Sequence, residues 1–172
     1  MKKKNVIKTR RYESPCGTLL LGSFGDKLCL CDWQIEKRRG HVDGRLKRIL
    51  NAEFEEGTSE VIKQAVRLLD EFFAGKRKVF DMPLLFVGTD FQKKVWRELL
   101  NIPFGETISY KEMARRIGLP MAVRAVANAN GANSVSIFAP CHRVIGSDNS
   151  LTGYGGGLAA KEKLLKLEGF LY

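Results

Sequence analysis

The stretch Ser109-Tyr110-Lys111-Glu112-Met113-Ala114-Arg115-Arg116-Ile117-Gly118-Leu119-Pro120 carries its own start and stop signals for a helix. Ser109 followed three residues later by Glu112 has the capping-box pattern, in which hydroxyl and carboxylate each satisfy an orphan N–H of the first turn. Met113, Ala114 and Ile117 then fall on one face, and Gly118 suits the left-handed backbone that closes a helix. Pro120 fits the first turn of a following helix, where its missing N–H would be unpaired anyway, and Asn130-Gly131 closes that helix. Two short helices joined by a glycine-containing turn read as a helix-turn-helix.

Working outward, Thr89 with Gln92 repeats the capping-box pattern, and Phe91, Val95, Trp96, Leu99 and Leu100 form one apolar stripe before Pro103 and Gly105 end the helix. The region before residue 89 has a different texture. Residues from Tyr12 to Trp33 cluster as in strands, and Phe24-Gly25-Asp26-Lys27 supplies a turn between Thr18–Ser23 and Leu28–Asp32, which predicts a hairpin. Arg45 to Phe54 suits a short helix. Ser59 can cap a longer one whose apolar positions, from Val61 to Phe73, recur at helical spacing until Gly75. Lys76 to Gly88, with a basic cluster and Pro83, reads as a linker. The predicted architecture is α+β: a small α+β unit over residues 1–88 and a mainly helical unit over 89–172.

A chain of 172 residues is long enough to bury a core without disulfides or metals. No apolar run approaches the roughly 20 residues of a membrane helix, so no membrane partner is expected. The Lys2–Lys4 run reads as a solvated tail, because Lys8, Arg10 and Arg11 break the apolar stretch that a signal peptide needs. A cytoplasmic protein is expected. Lys and Arg total 29 against 19 Asp and Glu, an excess that favours a polyanionic partner, with nucleic acid foremost. Lys37-Arg38-Arg39 reads as an exposed face. Between Ser109 and Gly146 five basic residues, Lys111, Arg115, Arg116, Arg124 and Arg143, stand against the single acid Glu112. In the second helix of the pair, Ala122, Ala125 and Ala129 lie at i, i+3 and i+7. They make a face small enough for a nucleic-acid backbone to approach, with Arg124 beside it and Val123 and Val126 turned elsewhere. Alanine is also simply the best helix former.

Ser136-Ile137-Phe138-Ala139, apolar and strand-like, runs into Pro140-Cys141-His142-Arg143-Val144-Ile145-Gly146. A free cysteine is mostly unreactive thiol at neutral pH unless a base or positive field assists it. His142 is a candidate base, although neighbours on a strand point to opposite sides, so contact requires a turn or a bridging water. Cys16, Cys29 and Cys31 fit neither a redox pair nor a zinc spacing. Cys29, Cys31 and His41 make a poor ligand set and read as core, so no metal is expected.

The block Pro140 to Gly146 resembles the active-site signature of the methylated-DNA-protein-cysteine methyltransferases, or O6-alkylguanine-DNA alkyltransferases. The resemblance continues through Ile102-Pro103-Phe104-Gly105-Glu106-Thr107-Ile108-Ser109-Tyr110, Arg124-Ala125-Val126, Asn133 and Leu151-Thr152-Gly153-Tyr154-Gly155-Gly156-Gly157-Leu158, to Glu168-Gly169. It implies a DNA-repair protein that moves an alkyl group from O6 of guanine, and less readily from O4 of thymine, irreversibly onto Cys141, each molecule acting once and without a cofactor. The partner implied is double-stranded DNA, bound by the helix-turn-helix in the minor groove with the damaged base flipped out, and the protein is expected to be a monomer.

The same resemblance implies particular roles. His142 takes the thiol proton through a water and is oriented by Glu168. Asn133 bonds backbone groups and ties the helix to the cysteine turn. Arg124 fills the space vacated by the flipped base, Tyr110 crowds the target's phosphate, and Ala122 and Ala125 face the groove. Val144, Tyr154, Gly155 and Gly156 line the base pocket, while Arg143 bonds local backbone. Residues 1–88 match more weakly and imply a ribonuclease-H-like domain. Ala127, Ser134 and Asn149 depart from the family's usual glycine, proline and glycine, and Asn149 keeps its turn because asparagine tolerates the left-handed backbone. Two other readings are a DNA-binding regulator in which Cys141 only fills space, and a cysteine hydrolase using Cys141, His142 and Glu168. The first lacks an effector or dimer module; the second lacks a recognisable oxyanion site.

Overall fold

A computed structural model describes residues 4–170. Strands β1 (Asn5–Ser14), β2 (Gly17–Phe24) and β3 (Lys27–Trp33) form an antiparallel meander, and β2 and β3 meet at the Gly25-Asp26 turn as predicted. Lys2 and Lys3 lie outside the described residues; Lys4 is exposed and pairs with Glu53.

Helix α1 (Glu36–Leu50) and strand β4 (Ala52–Glu56) replace the short helix predicted over Arg45–Phe54. The helix starts nine residues earlier and ends at Asn51, whose φ of 48° sends the chain back along β1. Local signals conceal α1. Its N-cap is Ile35, which makes no capping bond, and it contains Gly40 and Gly44. What holds it is tertiary: Val42 and Leu46 are buried with Ile7, Cys29 and Leu30, and Arg39 pairs with the buried Asp32. Strand β4 is rich in glutamate, a poor strand former, yet it pairs parallel with β1 and completes the sheet order β3-β2-β1-β4. Helix α2 (Glu60–Phe73) behaves as read: Ser59 accepts from the Ile62 N–H, and Ile62, Ala65, Leu68, Leu69 and Phe72 are buried.

Residues 76–88, which read as a linker, are docked on the sheet and core. Leu28, on the edge of β3, makes two backbone bonds with this segment: its N–H donates to Pro83 O at 3.1 Å and its O accepts from the Leu85 N–H at 2.9 Å. Phe80, Met82, Leu84 and Phe86 pack on the main core, in which Leu19, Leu21, Leu28 and Trp33 meet Val135, Ile137, Phe138 and Leu164 from the later half. Gly88 is small for a reason of space. A β-carbon there would sit 2.5 Å from Gln92 Oε1 and 2.6 Å from the Trp96 ring, both parts of the following helix. Gly88→Ala is expected to cost about 1–3 kcal/mol, seen as a lower chemical-denaturation midpoint; an unchanged midpoint would show that Trp96 has room to move.

Helix α3 (Asp90–Leu99) has the full Thr89–Gln92 capping box. Val95, Trp96 and Leu99 are buried as read, but Leu100, the helix C-cap, is 49% exposed. After the short strand β5 (Ile108–Ser109) comes α4 (Tyr110–Arg116), where Ser109 accepts from the Glu112 N–H. The Glu112 carboxylate binds Arg115 and Arg116 rather than closing the box. Gly118, with φ 78°, turns the chain out of α4. The second helix of the pair, α5 (Val123–Gly131), begins three residues after Pro120, because Pro120 and Met121 belong to the inter-helix turn. Strand β6 (Val144–Ile145) pairs parallel with β5, and α6 (Leu158–Leu167), capped by Glu168, closes the described chain.

Candidate active site

The strand-like run before the cysteine is a tight turn. Ser136 bonds back to Cys31 (N–H to O, 2.7 Å), Ala139 bonds to Val135 (2.9 Å), and Ile137 is held at φ 74°. That backbone is costly for a β-branched residue, about 1–3 kcal/mol, and persists where surrounding bonds over-determine it. Asn133 supplies two of them: its Nδ2 donates to Ala139 O (2.9 Å) and its Oδ1 accepts from Val135 N (3.0 Å). Asn130 Nδ2 donates to Cys141 O at 3.2 Å. Cys141, His142 and Arg143 then form one turn of 3₁₀ helix, so consecutive side chains no longer alternate as on a strand.

Behind the thiol is a buried polar network. His142 is fully buried and its Nε2 meets Glu168 Oε2 at 2.7 Å. The guanidinium of Arg143 grips both carboxylate oxygens, at 2.8 and 3.0 Å, and donates to Ile102 O. The Gly105 N–H adds a bond to Glu168 Oε1. Burial alone would raise the Glu168 pKa, but His142 and Arg143 outweigh it and hold the carboxyl at about 2. Burial lowers the His142 pKa despite the adjacent carboxylate. At neutral pH the pair is therefore neutral imidazole beside carboxylate, which requires Nε2 to carry the proton and donate it to Glu168. Nδ1 is left as an acceptor, and among the described residues it has no partner.

The Cys141 thiol is also pushed up by burial, against the hydrogen bonds of Asn133 and Ser136 and the charge of Arg38. It is a thiol awaiting a base, not a standing thiolate. It lines a cavity of about 700 Å³ together with Tyr110, Arg124, Asn133, Tyr154 and Gly155. The Tyr110 hydroxyl donates to Thr152 O at 3.0 Å.

Other predicted residues fall elsewhere. His142 and Glu168 stand behind the thiol. Val144 is fully buried, and Gly156 lies against Trp33, where a β-carbon would come within 2.6 Å of the ring; neither lines the cavity. The alanine face is partial: Ala125 is exposed and Ala122 half-buried, but Ala129 is in the core, its carbonyl accepting from Trp96 Nε1. Val123 lines the cavity and does not turn away from it. The basic excess is thinner than the count suggests, since Arg115 and Arg116 pair with Glu112 and Arg143 is buried on Glu168. Cys29 and Cys31 are core residues of β3, in different clusters, and His41 is exposed on α1. Asn149 adopts φ 64°, and Ser134 donates to Cys29 O.

Two residues escaped the sequence reading. Arg38, whose basic run reads as an exposed face, is bidentate to the buried Asp32 and donates to Gly131 O (2.8 Å) and Asn133 O (3.1 Å), bringing its charge into the Cys141 cavity. The clue was Asp32, an acid at the end of an apolar strand that must find cations once buried. Lys161 is wholly buried and donates to the carbonyls of Val144, Thr152 and Gly153, tying the Tyr154 loop to β6. Burial draws its pKa down to about 8.

A thiol at a cavity, a histidine–carboxylate pair next along the chain and an exposed arginine on an adjoining helix pair make the kind of site that a cysteine-dependent protein uses. The chain belongs to the 6-O-methylguanine DNA methyltransferase family. Residues 7–86 match the family's ribonuclease-like domain and residues 90–170 its DNA binding domain. It is 56% identical over 166 residues to the methylated-DNA--protein-cysteine methyltransferase of Mycobacterium tuberculosis H37Rv, covering 95% of this chain and 93% of that protein. The enzyme of that name from Methanosarcina barkeri is 46% identical over 159 residues, covering 91% and 93% of the two chains. The crystal structure of Mycobacterium tuberculosis OGT in complex with DNA superimposes with a TM-score of 0.78 at 42% identity, over 95% of this chain and 92% of that one.

Proposed function

We propose that this protein repairs alkylated DNA directly, by moving the alkyl group of O6-alkylguanine, and less readily of O4-alkylthymine, onto its own Cys141. The sulfur attacks the alkyl carbon, the carbon–oxygen bond breaks with its electron pair going to the base, and guanine is restored when N1 takes up a proton from the imidazolium through solvent, while a stable thioether forms. The thiol proton passes through a water to His142 Nδ1. Glu168, kept anionic by Arg143, orients the ring and stabilises the imidazolium. Because nothing cleaves the thioether, each molecule acts once.

The observation that carries this reading is the bond between His142 Nε2 and the Glu168 carboxylate, which leaves Nδ1 as the ring's acceptor on the residue that follows Cys141, whose thiol lines the cavity. Tyr110, Tyr154 and Gly155 line that cavity and are assigned to the flipped base, with Asn133 positioning the cysteine turn. Arg124, Ala122 and Ala125, at the start of α5, are assigned to the minor groove, which α5 enters with Arg124 filling the vacated stack. Residues 1–88 serve as the packing partner that supplies Arg38, and 89–172 carry DNA binding and chemistry. The four free thiols suit a reducing compartment such as the cytoplasm.

Duplex DNA bearing O6-methylguanine, incubated with the purified protein and followed by intact-protein and peptide mass spectrometry, tests the proposal. One methyl group on Cys141 and a single turnover are expected; an unmodified protein, or repeated turnover, would refute it. Arg124→Ala should slow transfer from duplex DNA about 10- to 100-fold, since opening the stack costs a few kcal/mol. Its reaction with free O6-benzylguanine should barely change, and equal slowing of both would remove the gap-filling role.

A further inference from the structure

A second cleft, of about 620 Å³, opens on a different part of the surface. No residue lines both cavities: Asn133, Ser136 and Cys141 face the acceptor cavity, whereas Ile137, Phe138, Pro140 and Arg143 face this one. Its floor is apolar, built by Met82, Leu84, Phe86 and Phe104 among others, and the exposed Leu100 and Val79 extend it to the surface.

The rim is cationic. Lys27 from the β2–β3 turn, Lys78 from the docked segment, and Lys93 and Arg97 one turn apart on α3 converge on it, and no carboxylate lines the cleft. Among the described residues none of these four makes an ion pair, whereas Lys4, Lys63, Arg77 and Arg115 each find a carboxylate. Four cations without a carboxylate partner around an apolar floor complement an anionic partner with apolar anchors.

Nucleic acid fits this cleft less well, because base stacking needs open aromatic faces. Here the rings are already engaged: Phe80 packs on Phe138 with centroids 4.6 Å apart, and Lys78 and Arg143 stand over Phe104 at 5.5 and 5.9 Å. A floor of Met82, Leu84 and Phe86, with the exposed Leu100 beside it, suits an inserted apolar side chain.

We propose that this cleft docks a short acidic segment of a partner protein, seating a bulky apolar side chain on the floor with flanking carboxylates on Lys27, Lys78, Lys93 and Arg97. The proposal is independent of the reading of Cys141. Selection of a random dodecapeptide library against the full chain is expected to enrich Trp, Phe, Leu or Ile flanked by Asp or Glu. A synthetic copy should shift the amide resonances of Leu100 and Phe104. The double variant Lys93→Glu/Arg97→Glu should weaken its binding about tenfold or more, as should replacing its apolar anchor by serine, while transfer from free O6-benzylguanine is unchanged. The idea falls if no such peptide is enriched, if its binding survives the charge reversal or the loss of its anchor, or if it maps elsewhere. Oligothymidylate binding that shifts the same resonances and is lost in the same variant would reassign the cleft to nucleic acid and overturn it.

Discussion

Replacing Cys141 with alanine should eliminate alkyl transfer while leaving affinity for duplex DNA nearly intact. The sulfur is the only atom removed, and it sits on the cavity wall, whereas the groups assigned to the groove are on α5. The bonds that hold the turn, from Asn133 to Ala139 O and from Asn130 to Cys141 O, involve backbone at 139 and 141 and do not need the thiol. Mass spectrometry after incubation with methylated duplex reads the first effect, and a fluorescence-anisotropy titration reads the second. A parallel loss of both would make Cys141 a packing residue and leave the chain without its nucleophile.

Glu168→Gln should produce the second large effect, on stability and on its pH dependence. Arg143 is 5% exposed, and the substitution leaves its charge without a counter-ion; breaking a buried pair in this way costs about 3–5 kcal/mol. That is a large share of the roughly 5–15 kcal/mol typical of a folded domain. The folded-state pKa of Glu168, about 2, lies below its ordinary value of 4.5, so the carboxylate's contribution is complete above pH 4.5 and is lost as pH falls toward 2. Urea denaturation should therefore separate the two proteins widely at pH 7 and progressively less below pH 4.5. A constant gap across that range, or none at pH 7, would show that the carboxylate charge does not hold Arg143. The variant should also transfer more slowly, because a neutral amide stabilises the imidazolium less than a carboxylate does.

Both effects involve a motif that is legible in the linear chain, and their explanation involves contacts that are not. Helix caps and helical stripes announce themselves because their partners lie within four residues: Thr89 with Gln92, Ser59 with Ile62, Ser109 with Glu112. The β2–β3 hairpin is similarly local. Helix α1 and strand β4 are hidden in the linear chain because their own residues argue weakly, and packing on β1 and β3 decides them. The alanine stripe was over-read for the converse reason. Spacing places Ala129 with Ala122 and Ala125 but does not reveal that α3 covers it.

From residue order alone come the helix pair, the cysteine beside its histidine, the family resemblance and the basic balance of the whole chain. Tertiary structure alone decides what surrounds the thiol. Arg38 reaches Asn133 across 95 positions, Arg143 reaches Glu168 across 25, and Lys161 fastens Val144 from 17 positions away. Nearest-neighbour chemistry leaves a periodic trace in a sequence, whereas a buried charge finds its counter-ion only when folding excludes water from both, and that pairing fixes which atom of His142 is free to accept a proton.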